Sequence, residues 1–72
     1  MNKRILESAR EQFDRLYSYG NHELKYSKGY KEYEYLYTLY KRDLEEMGYE
    51  RVEEKELGYT LVIIRKKGID EL

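Results

Sequence analysis

The residues whose chemistry comes closest to that of a catalyst are His22-Glu23, which include the only histidine of the chain. Histidine changes charge near neutral pH, and a neighbouring carboxylate can orient its ring for general acid–base catalysis. Adjacent residues do not face each other on a helix, however, and the sequence offers no nucleophile placed to act with this histidine. The pair is therefore more typical of a polar turn than of a catalytic site.

Ten tyrosines are the other chemically notable residues of the chain. Tyrosine can serve as a nucleophile, but nothing in the sequence resembles clustered histidines or a basic pocket that would activate one. Helix tyrosines more often belong to the core, with the hydroxyl reaching solvent or a partner. The sequence also has no phosphate-binding loop, dinucleotide glycine motif or metal-ligand spacing. We expect a protein that is not an enzyme and that needs neither a cofactor nor a metal.

The length and charge of the chain limit what it can bind. A chain of 72 residues makes one small domain, and its lack of cysteine excludes a disulfide. Because cores of this size supply only about 3–5 kcal/mol, a homodimer would provide useful additional burial. The 14 basic residues and the 15 acidic residues nearly cancel, so any nucleic acid would have to be bound through a local patch.

The distribution of apolar residues predicts a soluble, cytoplasmic protein with no membrane partner. No stretch is apolar for the roughly 18 residues that a membrane span requires. The N-terminus becomes charged soon after Ile5 and Leu6, unlike a secretory signal. Abundant Glu, Lys and Arg with a single glutamine point to a thermophilic source, although an A/T-rich genome accounts for the same composition.

Two amphipathic helices form the first two thirds of the predicted fold. Apolar residues at helical spacing predict a helix over residues 3–19, capped by Asn2. A second apolar face predicts a helix over residues 30–47, ended by Gly48. The segment between them, residues 21–29, is predicted as a short helix, with an irregular loop as the alternative.

A C-terminal β-hairpin is predicted over residues 49–66, which completes an α+β fold. Its first strand is rich in glutamate, and its second strand, residues 59–64, is apolar and β-branched. Alternate residues of that second strand point to opposite faces, and only one face can pack on the helices. The other face needs a cover from the neighbours of the first helix, from a C-terminal segment or from a second chain, and we assign Val62 and Ile64 to a homodimer interface.

The order of these elements resembles that of a known DNA-binding fold. A helix ending Leu-x-x-Met-Gly-Tyr at residues 44–49 is followed by a charged strand, a turn with glycine, an apolar strand and Lys-Lys-Gly-x-x-x-Leu. This pattern, carried by residues 39–72, resembles the C-terminal half of the winged helix-turn-helix domains of PadR-like and MarR-like repressors. The resemblance implies that residues 30–47 form the recognition helix and that the hairpin is the wing. It further implies a transcriptional regulator that binds double-stranded DNA.

The resemblance also implies which residues would contact the DNA. The exposed face of the recognition helix would read bases and meet phosphates, the segment before it would contact the backbone, and the wing tip would reach a phosphate. The residues at these positions are Lys31, Tyr35, Thr38 and Arg42 on the helix, Lys25 and Lys28 before it, and Lys55 on the wing. The same charges are also typical of a solvated helix surface.

A protein-binding modulator or inhibitor from a virus, a plasmid or a prokaryotic host is the alternative function. Tyrosine is enriched in the residues that dominate protein interfaces. The core pattern does not require Tyr19, Tyr26, Tyr35 or Tyr49, so these side chains are available for a protein partner. The acidic strand of the hairpin could pair with a basic surface of that partner.

Overall fold

The computed structural model describes residues 1–20 and 23–68, and it confirms an α+β fold. The two helices pack on one face of a three-stranded antiparallel sheet with the strand order β1-β3-β2. The elements in chain order are α1 (Lys3–Tyr19), β1 (Glu23–Ser27), α2 (Lys31–Glu46), β2 (Tyr49–Glu56) and β3 (Tyr59–Lys66). Within the described ranges, no helix is long and apolar enough to cross a membrane.

Local signals place the ends of α1 where the sequence predicted them. The Asn2 side chain accepts hydrogen bonds from the backbone N–H groups of Arg4 and Ile5, at 2.9 and 3.2 Å. These bonds satisfy two of the donors that a helix start leaves unpaired. At the other end Gly20 adopts a φ of 67°, a left-handed conformation that closes the helix and favours glycine.

The segment between the helices is a strand, so the prediction of a short helix or loop over residues 21–29 was wrong for Glu23–Ser27. Leu24 and Tyr26 are buried and alternate with more exposed neighbours, which is the two-residue period of a strand. This strand pairs antiparallel with β3 along its whole length. β1 thereby pairs the backbone N–H and C=O groups on the edge of β3 that β2 leaves open. Residues 21 and 22, including His22, lie outside the described residues.

The inner face of the sheet carries Val62 and Ile64, so their assignment to a homodimer interface was wrong. They are 0% and 1% exposed and belong to the core cluster with residues of both helices. The outer face of β3 carries Leu61 and Ile63, which point away from the helices. The strand is apolar on both faces, and the sequence alone could not choose which face the helices cover. The homodimer itself stays a prediction, as do the cytoplasmic location and the thermophilic source.

Aromatic rings surround Phe13 at the centre of the core. The Phe13 ring stacks on Tyr40 with a centroid distance of 5.6 Å and is tilted against Tyr26 and Tyr33 at 6.4 and 6.5 Å. Aromatic pairs at these distances add to the stabilisation that comes from burial alone.

Two of the tyrosines expected to be free for a partner are instead buried. Tyr26 packs between the helices and the sheet, and the Tyr49 hydroxyl donates a hydrogen bond to the backbone carbonyl of Leu16 at 3.2 Å. Tyr26 is buried because β1 is a strand rather than a helix. Tyr19 and Tyr35 are exposed, as the sequence predicted.

Candidate functional site

The predicted DNA-binding residues lie on three separate parts of the molecule. Four of them share one exposed side of α2, because the spacing of residues 31, 35, 38 and 42 brings them together on a helix. Lys25 lies on β1, and Lys28 follows that strand. Lys55 lies on β2 beside the hairpin turn, paired with Thr60 of β3.

Carboxylates accompany three of these predicted phosphate-binding cations. Lys28 Nζ lies 3.0 Å from Glu53 Oε1, and Lys25 Nζ lies 3.5 Å from Glu23 Oε1. The Arg42 guanidinium lies 3.5 Å from a carboxylate oxygen one helical turn away. Exposed pairs of this kind contribute between zero and about 1 kcal/mol, so they do not block a ligand. They do reduce the positive potential that phosphates would meet.

A cluster centred on Arg51 joins β2 to α2, and sequence reasoning missed it. The Arg51 guanidinium lies 2.8 Å from Glu34 Oε1 and 2.6 Å from Glu53 Oε2. Its central carbon also lies 5.4 Å from the centroid of the Tyr37 ring, within the range of a cation–π interaction. Burial disfavours the charge of Arg51, but the hydrogen bonds that the guanidinium donates to Glu53 and Glu34 outweigh this effect and raise its pKa. The hydrogen bond from Arg51 correspondingly lowers the pKa of Glu53.

Tyr26 brings a buried hydroxyl to the edge of this cluster. Among the described residues, Tyr26 Oη and Arg51 Nε are the buried side-chain atoms without a hydrogen-bond partner. Burial raises the pKa of Tyr26 to about 12, against the lowering effect of the nearby Arg51. The positive charge of Arg51 is neutralised by carboxylates within the cluster, so the cluster is not suited to bind an anion. Its ion pairs instead link the edge strand β2 to α2.

A groove of about 370 Å³ lies between the first half of α1 and the edge strand β1. Its wall is aromatic, with the Tyr26 and Tyr33 rings stacked at 5.0 Å and the Tyr30 ring edge-on to Tyr33 at 5.7 Å. Tyr30, the first residue of the predicted second helix, is 46% exposed. The lining residues are Arg4, Ile5, Ser8, Lys25, Tyr26, Tyr30 and Tyr33. We call this surface the α1–β1 groove.

Two hydrogen bonds between the helices hold the shape of the α1–β1 groove. Gln12 Nε2 donates to the hydroxyl of Tyr33 at 3.0 Å, which orients the ring that both other tyrosines contact. The backbone N–H of Asn2 donates to the buried Glu32 carboxylate at 2.7 Å and ties the start of α1 to the start of α2. The pKa of Glu32 is lowered by this backbone hydrogen bond, which favours the charged form.

At alternate residues of β1, the backbone N–H and C=O groups point away from β3. The N–H of Lys28 donates to the carbonyl of Thr60 at 2.8 Å, in register with the β1–β3 pairing. Hydrogen-bonded pairs alternate along an antiparallel ladder, so Leu24 and Tyr26 direct their backbone groups toward β3. The N–H and C=O groups of Lys25 and the N–H group of Ser27 therefore point away from the sheet, along the open side of the α1–β1 groove.

Comparisons with protein families, curated proteins and solved structures found no match to this chain. The proposals for its function therefore depend on geometry. Within residues 1–20 and 23–68 there is no group of three or more side chains that could hold a metal ion. His22 of the His22-Glu23 pair lies outside those ranges.

Signals for the α1–β1 groove were only partly present in the sequence. Tyr30 and Tyr33 were recognisable as aromatic residues of a helix, and Arg4 as an exposed charge of α1. Nothing local indicated that they meet, because the groove forms only when residues 23–27 pair with β3 and approach α1. The alternation of Leu24 and Tyr26 with polar residues was the one signal that could have located it.

Proposed function

We propose that this chain is a non-enzymatic protein-binding domain and that the α1–β1 groove is its binding site. The observation that carries the proposal is the combination of an aromatic wall, in which Tyr30 is 46% exposed, with an open strand edge in one concave surface. Tyrosine supplies a large, rigid contact area with a polar tip, which suits it to protein interfaces. A strand edge adds backbone hydrogen-bonding groups that a protein partner can use.

Peptide selection tests this proposal. A library of random peptides displayed on phage is selected against the folded chain, and the affinity of the selected peptides is measured by calorimetry. Because Ser8 lines the groove, we expect the tryptophan of Ser8→Trp to fill it. The affinity of the selected peptides should then fall roughly tenfold or more. The matched control is Thr38→Trp, which adds the same side chain to the exposed side of α2.

The control variant also defines the failure of the proposal. Selection of no peptide, or of peptides that bind Ser8→Trp and the unchanged chain equally well, would exclude the α1–β1 groove as the binding site. If only Thr38→Trp weakened the binding of the selected peptides, the binding site would lie on α2 instead.

A second candidate is a DNA-binding transcriptional regulator of the winged-helix type. The observation that favours it is the exposed side of α2, on which Lys31, Tyr35, Thr38 and Arg42 lie together. These side chains have the hydrogen-bonding groups that contact phosphates and base edges. The proposal places α2 in the major groove and the tip of the hairpin, with Lys55, beside the backbone.

Salt dependence tests DNA binding. We expect affinity for a random duplex to fall steeply between about 50 mM and about 200 mM salt, because bound cations release the counterions of the phosphates. Arg42→Ala should weaken binding, and Glu54→Ala should strengthen it by removing an exposed negative charge from the wing. Glu54 is a cleaner choice than Glu53, which holds Arg51 in place. A fluorescence anisotropy titration that shows no duplex binding at the lower salt concentration would exclude this function.

A further inference from the structure

We propose that the partner of the α1–β1 groove is an extended acidic segment, which adds to the free edge of β1 as a fourth strand of the sheet. This inference rests on the proposed function, because it specifies which kind of protein segment the groove takes. It combines three independent features of the molecule, namely the backbone of β1, the side chains of the groove and the charges of the two sheet edges.

The backbone of β1 determines where the added strand would be hydrogen-bonded. Lys25 directs both its N–H and its C=O away from β3, so it would form the central hydrogen-bonded pair with the incoming segment. The Ser27 N–H would extend the ladder by one bond. The Ser27 carbonyl already accepts a hydrogen bond from the N–H of Tyr30 at 3.1 Å, so the ladder ends there. A segment of about five residues therefore matches β1.

The alternation of side chains determines what that segment would contain. Its residue opposite Lys25 shares the outer face of the sheet with Lys25, because directly opposed residues of two strands point to the same side. The residues before and after it point to the helix side, over the wall formed by Ile5, Tyr30 and Tyr33. The segment would thus carry an acidic residue between two apolar residues.

Charge selects an acidic segment over a basic one. Arg4 and Lys25 are the charged residues among those lining the described groove, and both are positive. The carboxylate nearest to Lys25 is that of Glu23 at 3.5 Å, in an exposed pair that a ligand can displace at small cost. An incoming carboxylate on the outer face would therefore meet Lys25, with Glu23 as the competing carboxylate among the described residues, while Arg4 of α1 adds positive charge on the helix side.

The opposite edge of the sheet does not suit the same ligand. Glu54 and Glu56 line the outer face of the edge strand β2 together with Glu50, whose carboxylate lies 3.0 Å from Arg65 Nε. Glu53 on the inner face already neutralises Arg51. An acidic segment beside β2 would meet like charges, which are destabilising across neighbouring strands. The two edges are therefore not equivalent, and β1 is the one that accepts an acidic strand.

The test uses the capped peptide GTIDITG, in which aspartate lies between two isoleucines, and the full chain. We expect calorimetry to show that GTIDITG binds the chain, and we expect the peptide to shift the amide NMR signals of Lys25 and Ser27. Lys25→Glu should weaken binding roughly tenfold, whereas GTIKITG, with lysine in place of aspartate, should bind Lys25→Glu better than it binds the unchanged chain. Lys41→Glu, on the exposed surface of α2, is the control for the added negative charge.

A second peptide separates strand addition from other modes of binding. N-methylation of the aspartate removes the backbone donor that would face Lys25 and should abolish binding. Equal binding of the methylated and unmethylated peptides would overturn strand addition, and so would no binding of GTIDITG. If, in either of these two outcomes, Ser8→Trp still weakens the binding of the peptides selected from the library, the α1–β1 groove remains a protein-binding site. Only the strand-addition inference then fails. Shifts at Lys25 that depend on protein concentration without peptide would also overturn it, because β1 would then pair with a second copy.

Discussion

Val62→Lys is expected to unfold the chain at neutral pH. Val62 is 0% exposed and packs in the core with residues of α1 and α2. An ammonium group at this position would lose its hydration, and the carboxylate of its cross-strand neighbour Glu53 is already paired with Arg51 and Lys28. The core of so small a domain supplies only about 3–5 kcal/mol, so the native state would not survive. Loss of the far-ultraviolet circular dichroism signal and of NMR signal dispersion is the result to look for.

The neighbouring residue provides a matched control for this substitution. Leu61 precedes Val62 and points to the outer face of the sheet, where a lysine can reach water. We expect Leu61→Lys to keep the fold and to change the free energy of unfolding by about 1 kcal/mol or less. A folded Val62→Lys variant would contradict the inward orientation of β3, and an unfolded Leu61→Lys variant would contradict the outward one.

Phe13→Ala is expected to have the second-largest effect, with the folded state losing most of its stability. Phe13 is fully buried, and its ring contacts those of Tyr26, Tyr33 and Tyr40. Truncation of a buried phenylalanine to alanine costs about 3–5 kcal/mol, because the apolar contact is lost and a cavity remains. The cost therefore equals roughly the whole stability of a domain of this size. Urea unfolding followed by circular dichroism measures it.

Two further substitutions define the physical cause of the Phe13 effect. Tyr19→Ala removes an aromatic ring from the same helix at a position that is 78% exposed, and we expect a change within about 0.5 kcal/mol. Phe13→Leu keeps most of the apolar volume and should fall between alanine and the native residue. If Phe13→Ala were no more destabilising than Tyr19→Ala, the aromatic cluster would not be the centre of the core.

The helices and the hairpin were predictable because their signals are local. The cap at Asn2, the glycines that follow both helices and the spacing of apolar residues all act within a few residues of chain. The strand β1 was not predictable with the same ease, because five residues give only two apolar positions, Leu24 and Tyr26. Such a segment becomes a strand when β3 offers it an unpaired edge, and that edge lies more than thirty residues away along the chain.

The candidate site was less predictable than the fold. The exposure of Lys31, Tyr35, Thr38 and Arg42 follows from helical spacing and is confirmed, whereas their role in DNA binding stays a prediction. The α1–β1 groove combines residues from α1, β1 and the start of α2, so no local pattern indicates it. The Arg51 cluster was missed for the same reason, since Glu34 and Arg51 belong to different elements.

By itself, the sequence determined the class of fold, the extent of both helices and the position of the hairpin. It also determined that β3 is apolar on both faces. Only the tertiary structure decided which face the helices cover, that Tyr26 and Tyr49 are buried, and that β1 leaves an open edge beside aromatic rings. The physical reason is range: periodicity and caps act between residues that are close along the chain, whereas burial and strand pairing depend on distant segments that meet only on folding.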